Sequence, residues 1–399
     1  MIISLKDHNL MHMKILLVDP VGIGGHHQEY TSLLAGGLKA LGARVYFLGH
    51  LSLLNALTSE SLIYDGTPIY ENPFGSNIFN NEIRRFRFHQ KTISSCRKFS
   101  ADICHFLYMD HLLLSAAFCG IMRIKEMAVC GTLHRMYFLP DFASSKIHKL
   151  KGGIDIAALR FLLSGGLRIM THSEELTSFL DKTTGTSQFD YTPYPVKTYR
   201  LTNEERKSIR TELRSRYRFA PNDVVLLLFG DTRYEKGADL AVKALSFLPS
   251  QYHLIIAGRS TYFSQTDLEH LASEFGVLDR LHFDNRVIPE EERPFWFCGC
   301  DIFLMPYRKT FSGQSGPLTV AAGLGTKIVA PDLPILAETI VKDDLGLLYP
   351  VENVELMAST VKKAMNMTYS PFSANRFNNE HSFVAFTNAV LLSYSKAKR

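Results

Sequence analysis

The fold is decided by residues 14–48, KILLVDPVGIGGHHQEYTSLLAGGLKALGARVYFL. Lys14 to Asp19 form a short apolar run that predicts a buried parallel strand. A glycine-rich turn follows, then an amphipathic stretch from His26 to Leu41 that predicts a helix, which Gly42 ends. Arg44 to Leu48 predict the next strand, so the segment is a β-α-β unit.

The same alternation continues along the chain. Apolar runs predict further strands at Asp102–Phe106, Met127–Leu133 and Arg168–Thr171, and Ser173 is placed to cap the helix after the last of them. A polar connection from Thr183 to Arg200 lacks periodicity and marks a domain boundary. After it, apolar runs predict strands at Val224–Phe229, His253–Ala257, Leu281–Phe283, Asp301–Met305 and Lys327–Ala330.

Two such blocks predict two Rossmann-like, doubly wound α/β domains. We expect an N-terminal domain over residues 1–195 and a C-terminal domain over residues 196–371. Residues 372–399 are expected to form a helix that packs back toward the N-terminal domain.

Composition excludes several classes of protein. The chain has 399 residues, of which 46% are apolar, so we do not expect a mainly disordered protein. No stretch approaches ~20 uninterrupted apolar residues, so we expect no membrane-spanning helix. A net charge of +5 is too small to predict nucleic-acid binding. Six cysteines are too sparse for a disulfide scaffold, and the N-terminus lacks the pattern of a signal peptide, so we expect a cytoplasmic protein.

Two loops of the C-terminal domain follow predicted strands and suit a diphosphate. Residues 230–237, GDTRYEKG, place Arg233 and Lys236 at the carboxyl end of a strand, where open α/β sheets bind ligands. Residues 312–316, SGQSG, precede an apolar helix whose first N–H groups would point at a ligand. A solvated basic loop and an ordinary N-cap serine remain the simpler alternatives.

Two features of the N-terminal domain are further candidates. Gly24 and Gly25 lie in the turn after the first strand, where a plain tight turn is the alternative to a ligand-binding one. His134 ends a predicted strand, where it contacts a ligand or serves only the core. No Asp-x-Asp, HxH or HExxH pattern supports a metal site.

In their order along the chain, these motifs resemble the family 4 (group 1) glycosyltransferases with the GT-B fold. The stretches that carry the resemblance are GGHHQEYTSLLAGGLKALGARVYFL, TLH, THSEEL, GDTRYEKGADLAVKAL and PYRKTFSGQSGPLTVAAGLGTKIVAPD. The resemblance implies two domains facing across a cleft. It also implies transfer of a hexosyl group from a nucleotide-diphospho-sugar to a glycan, lipid-linked or small-molecule acceptor, with retention and without a metal or resident cofactor.

The resemblance also implies roles for single residues. Arg233 and Lys236 match the cations that hold the donor diphosphate, and His134 matches a histidine near the reacting sugar, so these three are the expected catalytic residues. Gly24 and Gly25 match a turn near the leaving phosphate and the acceptor. The diphosphate is further expected to contact Ser315, Gly316, Pro317 and Leu318. Glu338 matches a later glutamate that would contact the donor.

One departure from the family bears on function. Ser312 and Val320 stand where the family commonly has two glutamates, and the segment instead resembles a sub-branch with PYRxxxxSG, with two additional residues before Ser315. A catalytically silent GT-B protein that binds sugar nucleotides or acts as a scaffold is therefore the alternative. A sugar-nucleotide epimerase is disfavoured, because the sequence points to no additional acid/base carboxylates.

Basic residues cluster in two segments of the N-terminal domain. Residues 81–100, NEIRRFRFHQKTISSCRKFS, interleave arginine and lysine with Phe86 and Phe88, and residues 146–151 read KIHKLK. Two interpretations stay open: a solvated basic face, or a surface for peripheral contact with the inner face of the membrane or with an anionic lipid-linked acceptor.

Overall fold

A computed structural model describes residues 12–20, 26–70, 78–124, 126–135, 146–367 and 371–397. The chain divides into two compact units. Unit 1 comprises Met1–Pro195 and Phe383–Arg399, and unit 2 comprises Val196–Ser382. Each unit is built around its own parallel sheet.

The described part of unit 1 contains a seven-stranded sheet in the order β3-β2-β1-β4-β5-β6-β7. Every neighbouring pair of strands is parallel. The strands are β1 (Lys14–Asp19), β2 (Arg44–His50), β3 (Asp65–Ile69), β4 (Ile103–Phe106), β5 (Ala128–Leu133), β6 (Arg168–Thr171) and β7 (Phe189–Tyr191).

Helices cover the sheet of unit 1. They are α1 (His26–Ala40), α2 (Leu51–Ser59), α3 (Ile78–Phe99), α4 (Leu113–Cys119), α5 (Lys146–Ser164), α6 (Glu174–Thr184) and α15 (Phe383–Ala397). On one side α3 packs against α4 and α4 against α5, and elsewhere α15 packs against α1, β5 and β6. The core of this unit includes Ile15, Leu17 and Leu34 together with Phe386 and Val390 of α15.

The described part of unit 2 contains a six-stranded parallel sheet in the order β10-β9-β8-β11-β12-β13. The strands are β8 (Val224–Phe229), β9 (Tyr252–Ala257), β10 (Leu281–Asp284), β11 (Ile302–Leu304), β12 (Lys327–Pro331) and β13 (Gly346–Tyr349). The helices are α7 (Asn203–Arg216), α8 (Ala238–Leu245), α9 (Gln265–Glu274), α10 (Arg293–Gly299), α11 (Gly316–Leu324), α12 (Pro334–Lys342), α13 (Val354–Met365) and α14 (Pro371–Glu380).

Each sheet reverses its strand order at one point. In unit 1 the chain runs outward from β1 in one direction and from β4 in the other, and in unit 2 it does the same from β8 and β11. Loops on either side of such a point diverge and leave a crevice at the carboxyl ends of the strands, where doubly wound sheets bind ligands. The loops after β1, β4, β8 and β11 are therefore the places to look for a site.

The predicted fold class, two doubly wound α/β domains, is confirmed. The strands predicted at Lys14–Asp19, Arg168–Thr171 and Val224–Phe229 have those bounds, and Ser173 caps α6, its Oγ accepting a hydrogen bond from Leu176 N–H at 3.0 Å. The connection predicted over Thr183–Arg200 contains one further strand, β7.

The C-terminal tail, predicted as one helical segment from Phe372, consists of two helices that belong to different units. The first, α14, contacts α11 of unit 2, whereas α15 lies in unit 1. Over the described residues, none of the helices combines the length and the apolar character needed to span a membrane.

Candidate functional site

The loop after β8, residues 230–237, is shaped by two glycines in the left-handed region of backbone conformation. Gly230 has φ +97° and Gly237 has φ +64°. A Cβ atom on Gly230 would lie 2.5 Å from Lys236 Nζ, and one on Gly237 would overlap the Pro306 carbonyl oxygen. Gly237 is therefore required by close packing as well as by φ, whereas at Gly230 the positive φ favours glycine and a Cβ atom would displace the Lys236 ammonium group. We call residues 230–237 the phosphate loop.

Lys236 is the most buried cation of the phosphate loop, with 6% of its surface exposed. It ends a short 3₁₀ turn over Tyr234–Lys236, and its Nζ donates a hydrogen bond to the Phe229 carbonyl oxygen at 3.2 Å. Burial, assisted by the nearby Arg233 guanidinium, lowers the pKa of Lys236 to about 8. Asp231 and Glu235 oppose this lowering of the pKa only in part, so the buried ammonium group favours an anionic ligand.

Arg233 lies at the start of the same turn and is half-exposed. Its Nη1 is 3.0 Å from Glu235 Oε1. Because its charge lowers the pKa of Lys236, the two cations are electrostatically coupled. The structure therefore brings together the two residues that the sequence predicts to hold a diphosphate.

Arg308 holds the phosphate loop in place, a role that the sequence did not reveal. It is buried, and its Nη2 donates to both carboxylate oxygens of Asp239 at 2.7 and 2.9 Å. Its Nη1 donates to the Tyr234 carbonyl oxygen at 2.6 Å, and its backbone N–H donates to that of Glu235 at 2.8 Å. The segment after β11 thereby fixes the loop after β8.

The helix that follows this segment begins with a satisfied cap. Ser315 Oγ accepts a hydrogen bond from Leu318 N–H at 3.3 Å, and Pro317 has no N–H. Among the four predicted phosphate-binding residues, Pro317 has no N–H and the Leu318 N–H is used by the cap, so the amides that the prediction requires as donors are those of Ser315 and Gly316. The Ser315 hydroxyl is buried and lies 3.4 Å from the Tyr307 hydroxyl.

The two positions of the missing glutamates differ in surroundings. Val320 is 6% exposed within α11 and belongs to the packed interior, whereas Ser312 is half-buried in the loop before this helix. Glu338, the other predicted donor contact, is half-buried on α12, which follows β12.

In unit 1, His134 follows β5 and is 8% exposed. Its Nε2 lies 2.8 Å from the Leu107 carbonyl oxygen. Since a carbonyl oxygen only accepts, Nε2 carries the proton and Nδ1 is the acceptor of the neutral ring. The ring stacks on Tyr108 with centroids 4.1 Å apart and meets Tyr30 edge-on at 5.2 Å.

Asp110 fixes the backbone at His134. Its carboxylate accepts hydrogen bonds from His134 N–H at 3.0 and 3.1 Å and from Arg135 N–H at 2.8 Å. Burial raises its pKa to about 6, although these backbone hydrogen bonds oppose the rise. Asp110, in the loop after β4, therefore fixes the position of His134, which follows β5. The sequence offered only an acidic residue shortly after a strand as a signal.

Further rings complete a cluster with His134. His172, from the THSEEL motif, has Nδ1 2.9 Å from the Thr192 carbonyl oxygen and Nε2 3.1 Å from the Tyr30 hydroxyl. Its ring centroid is 4.9 Å from that of His134. We call the five rings the ring cluster; its members are Tyr30, Tyr108, His134, His172 and Tyr194.

The remaining candidates are reported as far as the structure describes them. Gly24 and Gly25 lie outside the described residues. Residues 81–100 fall almost entirely on α3. In the described ranges, no group of three or more His, Cys, Asp or Glu side chains is arranged to hold a metal ion.

The phosphate loop and the helix of Ser315 lie in a segment with a recognisable family pattern. Residues 223–367 match the family model described as "Glycosyl transferases group 1". This group 1 segment covers most of unit 2 and includes Arg233, Lys236, Arg308 and Glu338. No curated protein matches the chain by sequence.

Solved structures resemble nearly the whole chain at low identity. HepE from Anabaena in complex with UDP is 15% identical with a TM-score of 0.73, over 96% of this chain and 100% of that one. A glycosyltransferase from Rickettsia africae is 15% identical with a TM-score of 0.71, over 97% and 98%. Sucrose-phosphate synthase from Thermosynechococcus elongatus is 17% identical with a TM-score of 0.70, over 96% and 99%. These structures confirm the predicted GT-B fold.

Proposed function

We propose that the protein is a retaining hexosyl-type glycosyltransferase of family 4, with a nucleotide-diphospho-sugar as donor and no metal or resident cofactor. The observation that carries the proposal is the buried Lys236 beside Arg233, in a loop of the group 1 segment at the carboxyl end of β8. Two neighbouring cations at the carboxyl end of β8 match the charge of a diphosphate.

The proposed reaction requires the protein mainly to stabilise the leaving group, the nucleoside diphosphate. The bond between the anomeric carbon and the β-phosphate oxygen breaks, and its electron pair stays on the nucleoside diphosphate. An acceptor oxygen forms the new bond to the anomeric carbon, and its proton passes to the departing phosphate. Lys236, Arg233 and the Gly316 amide would stabilise the growing negative charge, as a divalent metal does in other transferases.

His134 is proposed to contact the reacting sugar. The residue directly follows β5, at the carboxyl end of the strand, where doubly wound sheets bind their ligands. Asp110 and Tyr108 would hold its ring in place. Glu338, Gly24 and Gly25 are proposed to contribute further contacts to the donor and acceptor.

Uridine nucleotides are the first donors to test. Structures of Anabaena HepE are in complex with UDP and with UDP-glucose, and they share the fold of this chain. This likeness supports UDP as a probe and leaves the sugar to experiment.

A catalytically silent protein that binds sugar nucleotides or acts as a scaffold is the second candidate function. The observation that favours it is Val320, a packed apolar residue at the position of a family glutamate. This alternative predicts that UDP binds without turnover.

We expect slow hydrolysis of a UDP-hexose without acceptor, unchanged by EDTA, because the phosphate loop supplies the positive charge that a metal would supply. The release of sugar is measured by NMR immediately after mixing, so that the anomer formed is identified before it equilibrates. Retention requires the same anomer as in the donor. Loss of activity in EDTA with recovery in Mn²⁺ would contradict metal independence, and UDP binding without any turnover would favour the scaffold.

We further propose a cytoplasmic protein that contacts the membrane peripherally and takes a sugar or lipid-linked acceptor. On α3, Arg84, Arg87 and Arg97 are exposed, and Ile83 and Phe86 are each 45% exposed beside them. Exposed apolar and basic side chains on one helix are suited to an anionic lipid surface.

The membrane proposal predicts that the protein floats with vesicles that contain phosphatidylglycerol but not with pure phosphatidylcholine vesicles. The double variant R84E/R87E should lose most of this binding because it reverses charges at the surface. K362E/K363E makes the same charge change on the exposed side of α13 and serves as control. Equal flotation of the two variants, or none by the wild type, would refute the proposal.

A further inference from the structure

Tyr108 carries a buried hydroxyl group that has no hydrogen-bond partner among the described residues. The residue is 8% exposed, and no polar atom of the described residues lies within hydrogen-bonding reach of its hydroxyl oxygen. Two other buried tyrosines of unit 1 have partners: the Tyr30 hydroxyl lies 3.1 Å from His172 Nε2, and the Tyr394 hydroxyl lies 2.8 Å from His105 Nδ1. An unpaired buried hydroxyl costs stability, so its retention calls for an explanation.

The position of Tyr108 points to a ligand. The residue follows β4 at the carboxyl edge of the sheet, where the strand order reverses between β1 and β4. Its ring is held between His27, with centroids 4.0 Å apart, and His134, with centroids 4.1 Å apart. The ring is thus fixed in orientation at the place where a doubly wound sheet binds its ligand.

The surroundings of the hydroxyl select the chemistry of that ligand. Burial raises the pKa of Tyr108 far above its ordinary value, and the neighbouring Asp19 and Asp110 add to the rise. The hydroxyl therefore stays protonated and acts as a donor at neutral pH. Both nearby carboxyl groups disfavour a phosphate or carboxylate at this position, whereas a neutral sugar hydroxyl suits it.

We propose that Tyr108 is a binding residue for the acceptor and that its hydroxyl donates a hydrogen bond to an oxygen of a neutral sugar. The inference rests on the proposed function, which it deepens by naming the acceptor class at this position. It assigns Tyr108, beside His134, to recognition of the acceptor and the phosphate loop to recognition of the donor.

The test measures binding of neutral sugars to the full-length protein by saturation-transfer NMR, with UDP present and absent. The probes are the methyl glycosides of glucose, galactose and mannose, with glucose 6-phosphate as the anionic arm. We expect at least one glycoside to bind the wild type and Y108F to weaken it about five- to tenfold, the cost of one hydrogen bond. Y394F, which removes a hydroxyl of the same unit outside the site, is the matched control.

A second readout separates a ligand contact from a structural role. Y108F removes a hydroxyl for which the described part of the chain offers no partner, so the melting temperature of this variant should equal or exceed that of the wild type. Y394F breaks the hydrogen bond to His105 and should melt lower while binding glycosides normally. A drop in the melting temperature of Y108F would show that the hydroxyl has a structural partner.

Three results would overturn the proposal. They are the absence of glycoside binding by the wild type, equal binding by Y108F and wild type, and tighter binding of the sugar phosphate than of the glycosides. Equal binding would mean that an internal water satisfies the hydroxyl. UDP affinity in the same samples distinguishes the two proposals, because failure of UDP to bind would refute the donor site while a Tyr108-dependent sugar site would stand.

Discussion

Lys236→Ala is expected to reduce kcat/KM for a UDP-hexose by at least about 100-fold, on the scale of losing a preorganised charge at a leaving group. Lys236 is buried and is held in a loop fixed by Arg308. In the variant, water would therefore stabilise the charge of the leaving group less well than the ammonium group does. The measurement is donor hydrolysis at low substrate concentration. Lys362→Ala removes an exposed lysine of the same unit and should leave the rate unchanged. An unchanged rate in Lys236→Ala would refute the assignment of the phosphate loop.

The pH dependence of UDP affinity checks the same residue without turnover. The pKa of Lys236 is about 8 in the ligand-free protein, so the ammonium loses its proton above that pH. A bound diphosphate favours the protonated form of Lys236. UDP affinity should therefore be constant from about pH 7 to pH 8 and should decrease above pH 8, by up to about tenfold per pH unit. Lys236→Arg keeps its charge and should give a flat profile. A falling profile in that variant would assign the titration to another group.

Arg233→Ala should also lower kcat/KM by about 100-fold or more, because the second phosphate-facing cation is lost. It has a further signature. The Arg233 charge lowers the pKa of Lys236, so removal of Arg233 should raise that pKa. The decline in UDP affinity should then begin at a higher pH than in the wild type.

His134→Ala is expected to lower turnover steeply while leaving UDP affinity, which we assign to the phosphate loop, unchanged. It should also cost about 1–3 kcal/mol of stability, because the Nε2 hydrogen bond to Leu107 and the stacking on Tyr108 are lost from a buried site. His134→Gln retains an N–H donor and should recover most of the stability without the activity.

Measurement of melting temperature, UDP affinity and kcat on one preparation of each variant separates chemistry from folding. If His134→Gln restored both stability and turnover, His134 would be a structural residue. That outcome would leave the phosphate loop as the sole support for the proposed function.

The interior strands were predictable from sequence, and three edge strands were not. β1, β6 and β8 are short apolar runs because both faces of a parallel sheet are covered by helices. In contrast β3 (DGTPI), β7 (FDY) and β13 (GLLY) are short, lack a fully buried face and lie at the ends of their sheets. Each of these three short segments contains glycine, proline or aspartate, which are disfavoured in strands, so its sequence carries little strand signal.

The residues of the candidate site likewise include some that the sequence predicted and some that it did not. Arg233 and Lys236 were identifiable because strand, loop and helix are consecutive in sequence. Arg308 and Asp110 act through partners on other segments of the chain: the Arg308–Asp239 pair joins residues 69 apart, and the Asp110–His134 contact joins residues 24 apart. Contacts of this kind depend on the winding of the sheet and leave no local pattern.

The placement of α15 has a consequence for biosynthesis. Phe386 and Tyr394 of this helix complete the surroundings of Tyr30 and His105, yet the whole of unit 2 is translated between them and the rest of unit 1. At about 5–20 residues per second, the nascent unit 1 waits roughly 10–40 s for its last helix. Unit 2 is contiguous and is complete first, so the earlier-translated half of the protein is the later one to mature.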